Sequence, residues 1–182
     1  MAIMTRISKQ MFRSRLPGLA LSAALVFALA LAQAAPSERL RVGGDVKASL
    51  DLSIDDLGKL PADQLSSVTV TRRVDGKEVG STVRGIKLAT LLERAGLATR
   101  DRNDWKHMVA LACGVDGYCV SFSWPELMNT EVGAGVLVIF ERDGQPLDDG
   151  EGRIALVSAR DINGGPRHVK WLGKIELRLL QP

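Results

Sequence analysis

The chain has 182 residues, of which 46% are hydrophobic and 25% charged, with a formal net charge of +3 and two cysteines. No internal repeat or low-complexity tract is present and no linker is long enough to divide the chain, which excludes a repeat array. The net charge is small and its excess lies at the N-terminus, so it does not indicate nucleic acid as a partner.

The first 34 residues have the pattern of a secretory signal peptide. They begin with a basic region, continue with an apolar or small stretch at 19–32 and end in Ala-Gln-Ala, the small residues that signal peptidase needs. We expect cleavage after Ala34, leaving residues 35–182 as one domain with its own core, periplasmic or secreted. The alternative is an uncleaved anchor, because residues 16–35 are about long enough to span a bilayer.

The basic region of this segment accounts for the positive charge of the chain. It contributes four positive charges and no negative one, so the +3 of the whole chain becomes −1 once the segment is removed. Arg13 and Arg15 are separated by Ser14 and form no twin-arginine signal, which favours the general secretory route in the unfolded state. After cleavage we expect no membrane surface as a partner.

Short strands and a few short helices alternate through the first half of the domain. In chain order, the predicted elements are strands at 40–46 and 48–52, a helix from 54 to 60, a strand at 68–71, its hairpin partner ending at 83, and a helix at 88–95. Ser53 suits the N-cap of the first helix and Asp75-Gly76 suits the hairpin turn. The second helix is the clearest, because its apolar residues recur every three or four positions and Gly96 ends it.

The two cysteines lie in one predicted hairpin, whose strands at 108–113 and 118–122 are joined by Val115-Asp116-Gly117. A three-residue loop with a left-handed glycine places Cys113 opposite Cys119, in a pair of the kind where side chains approach most closely. In an exported protein such a pair is normally oxidised, so we favour a structural disulfide. A redox-active dithiol and reduced core thiols remain alternatives, and no zinc-ligand spacing is present.

The last third of the domain is again rich in strands. Ser123-Trp124-Pro125-Glu126 is a capping box with proline in the first turn, and it begins a short helix. Strands follow at 136–140, 154–157 and 174–180. Because the helices lie between hairpins and not in regular strand–helix–strand order, the expected fold class is α+β, with mixed, mostly antiparallel sheets.

The order of several motifs resembles a known family. The runs Asp143 to Leu147, Gly152 to Val157 and Gly165 to Ile175 look like the closing segment of the molybdopterin-binding domain of sulfite-oxidase-type oxidoreductases. Upstream, Arg84 to Leu88 with Leu91 and Leu92, Asp116 to Tyr118, Phe122 and Glu126-Leu127 match the same family in order. The resemblance covers about 68–180 and implies stacked sheets with a β-grasp-like unit, holding a molybdenum pterin.

The sequence departs from that family at the molybdenum ligand. Family enzymes use a cysteine thiolate on or just after the strand that precedes the Gly85-Ile86-Lys87-Leu88 element, and that place falls here on Thr71, Arg72 and Arg73. A threonine hydroxyl or an arginine cannot replace a thiolate as the soft ligand. We therefore expect no thiolate-bound molybdenum, and only the family resemblance indicates molybdopterin as a cofactor.

The resemblance implies an anion-binding cleft. In the family, the segment matching 165–170 helps to hold the anionic phosphate of the pterin, through backbone amides and basic side chains. The candidate cleft residues are Arg72, Arg73, Arg84, Gly165, Arg167, His168 and Lys170. The competing interpretation is a solvated row of arginines, with Lys170 packed beside Trp171.

Two functional classes follow. In the first, the chain is an exported module that keeps the fold without thiolate-bound molybdenum and binds a small anionic ligand or a periplasmic protein partner. In the second, it is a molybdopterin-dependent oxidoreductase, or a subunit of one, with the metal held unconventionally. The sequence contains no nucleophile elbow, phosphate-cradling loop or zinc-protease motif, and it assigns no catalytic residue.

Overall fold

The fold is known from a computed structural model that describes residues 37–180, apart from the side chains of Arg73 and Val74. The predicted signal peptide and its cleavage site lie outside the described residues. Within 37–180, no helix is long and apolar enough to cross a membrane.

Ten strands and four short helices make up the described chain. In order they are β1 (Arg39–Gly44), β2 (Leu50–Ser53), α1 (Ile54–Gly58), β3 (Leu65–Val74), β4 (Lys77–Lys87), α2 (Leu88–Ala95), β5 (Met108–Gly114), β6 (Cys119–Ser123), α3 (Trp124–Asn129), α4 (Glu131–Ala134), β7 (Val136–Arg142), β8 (Gln145–Pro146), β9 (Ala155–Ser158) and β10 (Leu172–Leu179). Single 3₁₀ turns lie at Ala62–Gln64 and Asp104–His107.

The first sheet has the strand order β2-β1-β10-β5-β6. Its central pair, β1 and β10, is parallel, while the hairpins β1–β2 and β5–β6 and the pair β10–β5 are antiparallel. A last strand inserted between two hairpins, parallel to the first strand, is the arrangement of a β-grasp sheet. The resemblance in the sequence predicted this unit correctly.

The second sheet is antiparallel throughout, with the order β3-β4-β7-β8 and β9 also paired to β7. Asp75 and Gly76 both have positive φ, as a tight hairpin turn between right-twisted strands requires. A register shift between β4 and β7 lies at Gly85, where a β-carbon would come within 1.9 Å of the Val138 carbonyl oxygen. Only glycine permits so close an approach of two backbones.

One hydrophobic core joins the two sheets. Buried residues of the first sheet, such as Leu40 and Ile175, belong to the same cluster as Ile86 and Leu156 of the second. Helix α2 buries Leu88, Leu91, Leu92 and Ala95 in this core and ends at Gly96, as predicted. The structure therefore confirms a mixed, mostly antiparallel α+β fold of packed sheets.

The bounds of several elements differ from those predicted. Strand β3 covers 65–74 where 68–71 was predicted, and β4 continues to Lys87 beyond the predicted end at Val83. The two strands pair along their whole length, so the partner rather than the local pattern decides where each ends. Strand β8 was missed, since two residues are too few for a hydrophobic pattern.

Candidate functional site

A cleft of about 830 Å³ opens between β3 and the loop that follows β9. Residues 69–72 line one side and residues 157–159 and 161–165 the other, with His168 and Lys170 from the following segment. A second cavity of about 440 Å³ adjoins it toward β8. The two cavities share four lining residues: Arg72, Arg142, Glu151 and Lys170.

The β3 wall contains the place where the family resemblance puts a metal-binding cysteine. Thr71 and Arg72 both line the cleft. A β-carbon placed on Gly164 would lie 3.7 Å from the Thr71 carbonyl oxygen, so the loop approaches this part of β3 closely. Arg73 pairs through its backbone with Glu78, and its side chain lies outside the described residues. Among the described residues, no three His, Cys, Asp or Glu side chains form a group that could hold a metal ion.

Arg142 and Glu151 form an ion pair at the junction of the two cavities. One terminal nitrogen of Arg142 lies 2.9 Å from each carboxylate oxygen of Glu151, and the other donates to the Ser81 hydroxyl at 2.6 Å. The two side chains are only 18% and 13% exposed. Their charges largely cancel, so this pair shapes the cleft more than it adds charge to it.

His168 has an unsatisfied nitrogen in the cleft. Its Nε2 is buried without a hydrogen-bond partner among the described residues and lies 3.8 Å from a Glu151 oxygen. Burial lowers the pKa of His168; Glu151 opposes this effect, while Arg142, Lys170 and Arg72 lower the pKa further. Burial therefore favours the neutral imidazole, and its Nε2 is buried in the cleft wall without a partner among the described residues.

Arg72 and Lys170 bring positive charge to the cleft. Both side chains are exposed, and neither forms an ion pair with a described residue. The Lys170 ammonium lies 5.9 Å from the centre of the Trp171 ring. The structure thus brings together Arg72, Gly165, His168 and Lys170.

Trp171 turns the chain directly after Lys170. Its φ of 47° lies in the left-handed region, which is costly for a bulky residue. Three hydrogen bonds hold it there: its N–H donates to the Glu151 carbonyl at 2.8 Å, its indole N–H to the Asp149 carbonyl at 2.9 Å, and its own carbonyl accepts from the Val115 N–H at 2.9 Å. Lys170 is thereby exposed while Leu172 is fully buried.

Arg167, predicted to line the cleft, is held in ion pairs beside it. Its Nε donates to Asp161 at 2.8 Å and one terminal nitrogen also contacts Asp161, while the other donates to Glu126 at 2.8 Å. The guanidinium lies 4.5 Å from the centre of the Phe122 ring. These contacts raise the pKa of Arg167 and lower that of Asp161. Arg167 therefore ties the loop after β9 to α3 and does not line the cleft as a free cation.

Arg84 also lies away from the cleft. Its guanidinium forms an ion pair with Glu141 at 2.7 Å and lies 5.8 Å from the centre of the Phe140 ring. Its position on β4 beside β7 is set by the register shift at Gly85. The sequence predicted that Arg84 shares the cleft with Arg72, but alternation along two long strands and this shift separate them.

The sequence did not predict two cleft residues, Arg142 and Glu151, or the ion pair between Glu126 and Arg167. Arg142 and Glu151 line both cavities, although no motif marks them. The one signal was a charged residue at the end of the buried strand β7, just before Asp143-Gly144. In the capping box at Ser123, the hydroxyl accepts the Glu126 N–H as predicted, but the Glu126 carboxylate binds Arg167.

The cysteine hairpin has the predicted register. Cys113 pairs with Cys119, their Cα atoms are 4.1 Å apart, and a disulfide joins them. Gly117 has a φ of 89°, the left-handed conformation expected of the loop glycine. The predicted disulfide is confirmed.

Comparison with known proteins gives consistent results. The model of the oxidoreductase molybdopterin-binding domain family matches residues 29–180. Mitochondrial sulfite oxidase from Rattus norvegicus is 32% identical over 156 residues, and that from Homo sapiens 29% over 154 residues. Each match covers 75% of this chain and 28% of the relative, so the chain spans little more than a quarter of these proteins.

A solved structure supports the same fold. The crystal structure of the sulfane dehydrogenase SoxCD from Paracoccus pantotrophus superimposes with a TM-score of 0.58 at 20% identity. The match covers 76% of this chain and 37% of that chain. At this identity the likeness concerns the fold alone.

Proposed function

The chain belongs to the oxidoreductase molybdopterin-binding domain family, and we propose that within this family it is an exported module that binds a small anion and holds no molybdenum through a thiolate. The observation that carries the proposal is the cleft, which Arg72, His168 and Lys170 line beside Thr71. Thr71 stands in the region where the family resemblance places the thiolate.

The chemistry of the cleft suits an oxyanion. Guanidinium and ammonium groups form strong charge-assisted hydrogen bonds with phosphate oxygens. His168 adds a buried nitrogen that lacks a partner among the described residues and becomes a donor when protonated. A phosphate group between Arg72 and Lys170 would neutralise both charges.

The residues present fit the anionic end of molybdopterin and not its metal end. The segment 165–170, which in the family helps to hold the pterin phosphate, contributes His168 and Lys170 to the cleft. The ligand that the family resemblance implies for molybdenum is a soft thiolate, whereas Thr71 offers a hydroxyl and both cysteine sulfurs are bonded to each other on another hairpin. The competing function is a molybdopterin-dependent oxidoreductase, or its subunit, with other metal ligands; family membership favours it.

Export is part of the same proposal. The signal-like pattern of residues 1–34 supports it, and so does the disulfide, which persists in oxidising compartments. In the periplasm, the ligand is a small anion or an anionic group carried by a protein partner.

Metal analysis tests the proposal against its competitor. The full chain, with its signal, is expressed in its own host and purified from the periplasm, and molybdenum is measured by mass spectrometry together with pterin fluorescence after acid release. We expect far less than one molybdenum per chain. Stoichiometric molybdenum would establish the oxidoreductase alternative.

Anion binding is tested by NMR titration with inorganic phosphate. Lys170→Ala and Arg72→Ala each remove one charge-assisted contact, so we expect each to weaken phosphate binding by about tenfold or more. Arg84→Ala is the matched control, because it removes an arginine of the same sheet that lies outside the cleft. Equal binding by all three variants would contradict the assigned site.

A further inference from the structure

The cysteine hairpin contacts, at two points, the segment that supplies His168 and Lys170 to the cleft. Its loop, residues 114–118, packs against the cleft segment, residues 165–171. The Tyr118 hydroxyl donates to the Pro166 carbonyl, and the Val115 N–H donates to the Trp171 carbonyl at 2.9 Å. In the chain, His168 and Lys170 lie between Pro166 and Trp171, the residues that make these two contacts.

The loop fits the cleft segment closely. A β-carbon on Gly114 would lie 2.6 Å from the Lys170 carbonyl oxygen, so the two backbones touch. Asp116 stabilises the loop by accepting the Tyr118 N–H at 3.1 Å. The position of Tyr118 is thus set by the shape of the loop.

The disulfide closes this loop at its base. Cys113 and Cys119 directly flank residues 114–118, and they are the terminal pair of the β5–β6 ladder. Cys119 is exposed, which places this end of the disulfide at the surface. The bond encloses few residues and contributes only about 2 kcal/mol by chain entropy. Its main effect is therefore local, on the loop that carries Tyr118.

We propose that Tyr118 is a positioning residue for the cleft segment and that the Cys113–Cys119 disulfide is a redox-sensitive clasp that holds Tyr118 in place. Reduction frees the loop, loosens the Tyr118–Pro166 contact and lets the segment carrying His168 and Lys170 move. The consequence for anion affinity rests on the proposed function; the positioning itself does not.

The redox step uses a dithiol reductant. Its thiolate attacks the Cys119 sulfur, which forms a mixed disulfide and releases Cys113 as a thiolate. The second thiol of the reductant then closes the reductant's own disulfide and releases Cys119. Two electrons pass to the protein, and two protons from the reductant's thiols end on the two cysteines.

The first test measures amide hydrogen exchange by NMR in oxidised protein, in protein reduced with dithiothreitol and in Tyr118→Phe. The His168 N–H, which donates to the Gly165 carbonyl at 2.9 Å, reports on the cleft segment. Loss of one hydrogen bond is expected to speed its exchange about fivefold, while amides of β4 in the other sheet stay unchanged. Ser121→Ala, an exposed site on the same strand as Cys119, is the matched control.

The histidine titration supplies a second readout that needs no ligand. The protein has only two histidines, so their ring signals are easily distinguished. Once the segment loosens, water reaches the ring of His168 and its pKa moves up toward its ordinary value. If exchange and titration are the same in oxidised, reduced and Tyr118→Phe protein, the clasp is refuted.

Phosphate titration of the same samples separates the two proposals. Weaker binding after reduction, restored on reoxidation, is the expected result. If oxidised wild-type protein binds no phosphate, the proposed function fails, yet the exchange data still decide on the clasp. Reduction and Tyr118→Phe leave every other side chain unchanged. The test therefore needs no Cys113→Ser/Cys119→Ser double variant and does not depend on whether such a variant folds.

Discussion

Arg167 and Lys170 are three positions apart in one segment and differ in what surrounds them. Arg167 is 24% exposed and meets two carboxylates and an aromatic ring, whereas Lys170 extends into the cleft. From the sequence, the two are equivalent candidate residues of the anion-binding cleft. The contacts of Arg167 predict that its removal destabilises the fold.

Arg167→Ala is expected to reduce the free energy of unfolding by about 2–3 kcal/mol, because it leaves Asp161 and Glu126 partly buried without their cation. Arg167→Lys should restore only part of the loss, since an ammonium cannot make the two-pronged contact with Asp161. Urea denaturation measures both. The more exposed ion pair between Arg84 and Glu141 is the control. Arg84→Ala should lower the free energy of unfolding by less than about 1 kcal/mol. An equal loss in both variants would contradict a stabilising role for the contacts of Arg167.

His168 should make stability depend on pH. Because burial lowers its pKa below the ordinary 6.5, the unfolded chain takes up a proton that the folded protein does not. The free energy of unfolding therefore falls as the pH drops below about 6.5, by at most about 1.4 kcal/mol per unit, and the loss stops below the folded pKa. Denaturation between pH 5 and 8 checks this. His168→Gln should flatten the dependence of the free energy of unfolding on pH. An unchanged slope would mean that other titratable groups cause it.

At the scale of the elements, the local sequence pattern sets where a helix begins and ends, whereas the partner strand sets where a strand does. Helix α2 could be predicted to the residue, because the spacing of its leucines and the glycine after it are local signals. The lengths of β3 and β4 could not, because each is extended by hydrogen bonds to the other, and β4 also by hydrogen bonds to β7. Gly85 is the clearest case of a residue whose role exists only between strands.

Gly85→Ala should destabilise the protein by about 3 kcal/mol or more, because the added carbon meets the backbone of β7 at 1.9 Å and the strands must separate. Gly80→Ala, in the same strand, is the control: its new carbon would meet only the Thr69 side chain, at 3.5 Å. Thermal denaturation compares the two. A small effect at Gly85 would mean that the register shift between β4 and β7 can relax.

At the scale of the whole molecule, the cleft arises from segments far apart in the chain. Strand β3 supplies one wall, and residues beyond 157 supply the other. The shared core holds the two sheets together, and the contacts of Arg167 with Glu126 and of Tyr118 with Pro166 tie the second wall to neighbouring elements. The site therefore depends on contacts that no single element contains.

Processing is the prediction that concerns the entire chain. Protein isolated from the periplasm of its host should begin at Ala35, as read by N-terminal sequencing, and titration with a thiol reagent before denaturation should find no free cysteine. Retention in the membrane fraction with an intact N-terminus would indicate the anchor alternative instead. Two reactive thiols in the native protein would favour the redox-active dithiol.

The sequence by itself determined the fold class, the helix α2, the register of the cysteine hairpin and the family, because these depend on local spacing and on the order of motifs. It also marked the absence of a thiolate near Thr71. Only the tertiary structure decided which basic residues share the cleft: it kept Arg72, His168 and Lys170, and it paired Arg84 and Arg167 with carboxylates. The physical reason is that the charge a cation offers to a ligand depends on its neighbours in space, and these neighbours come from distant strands and loops.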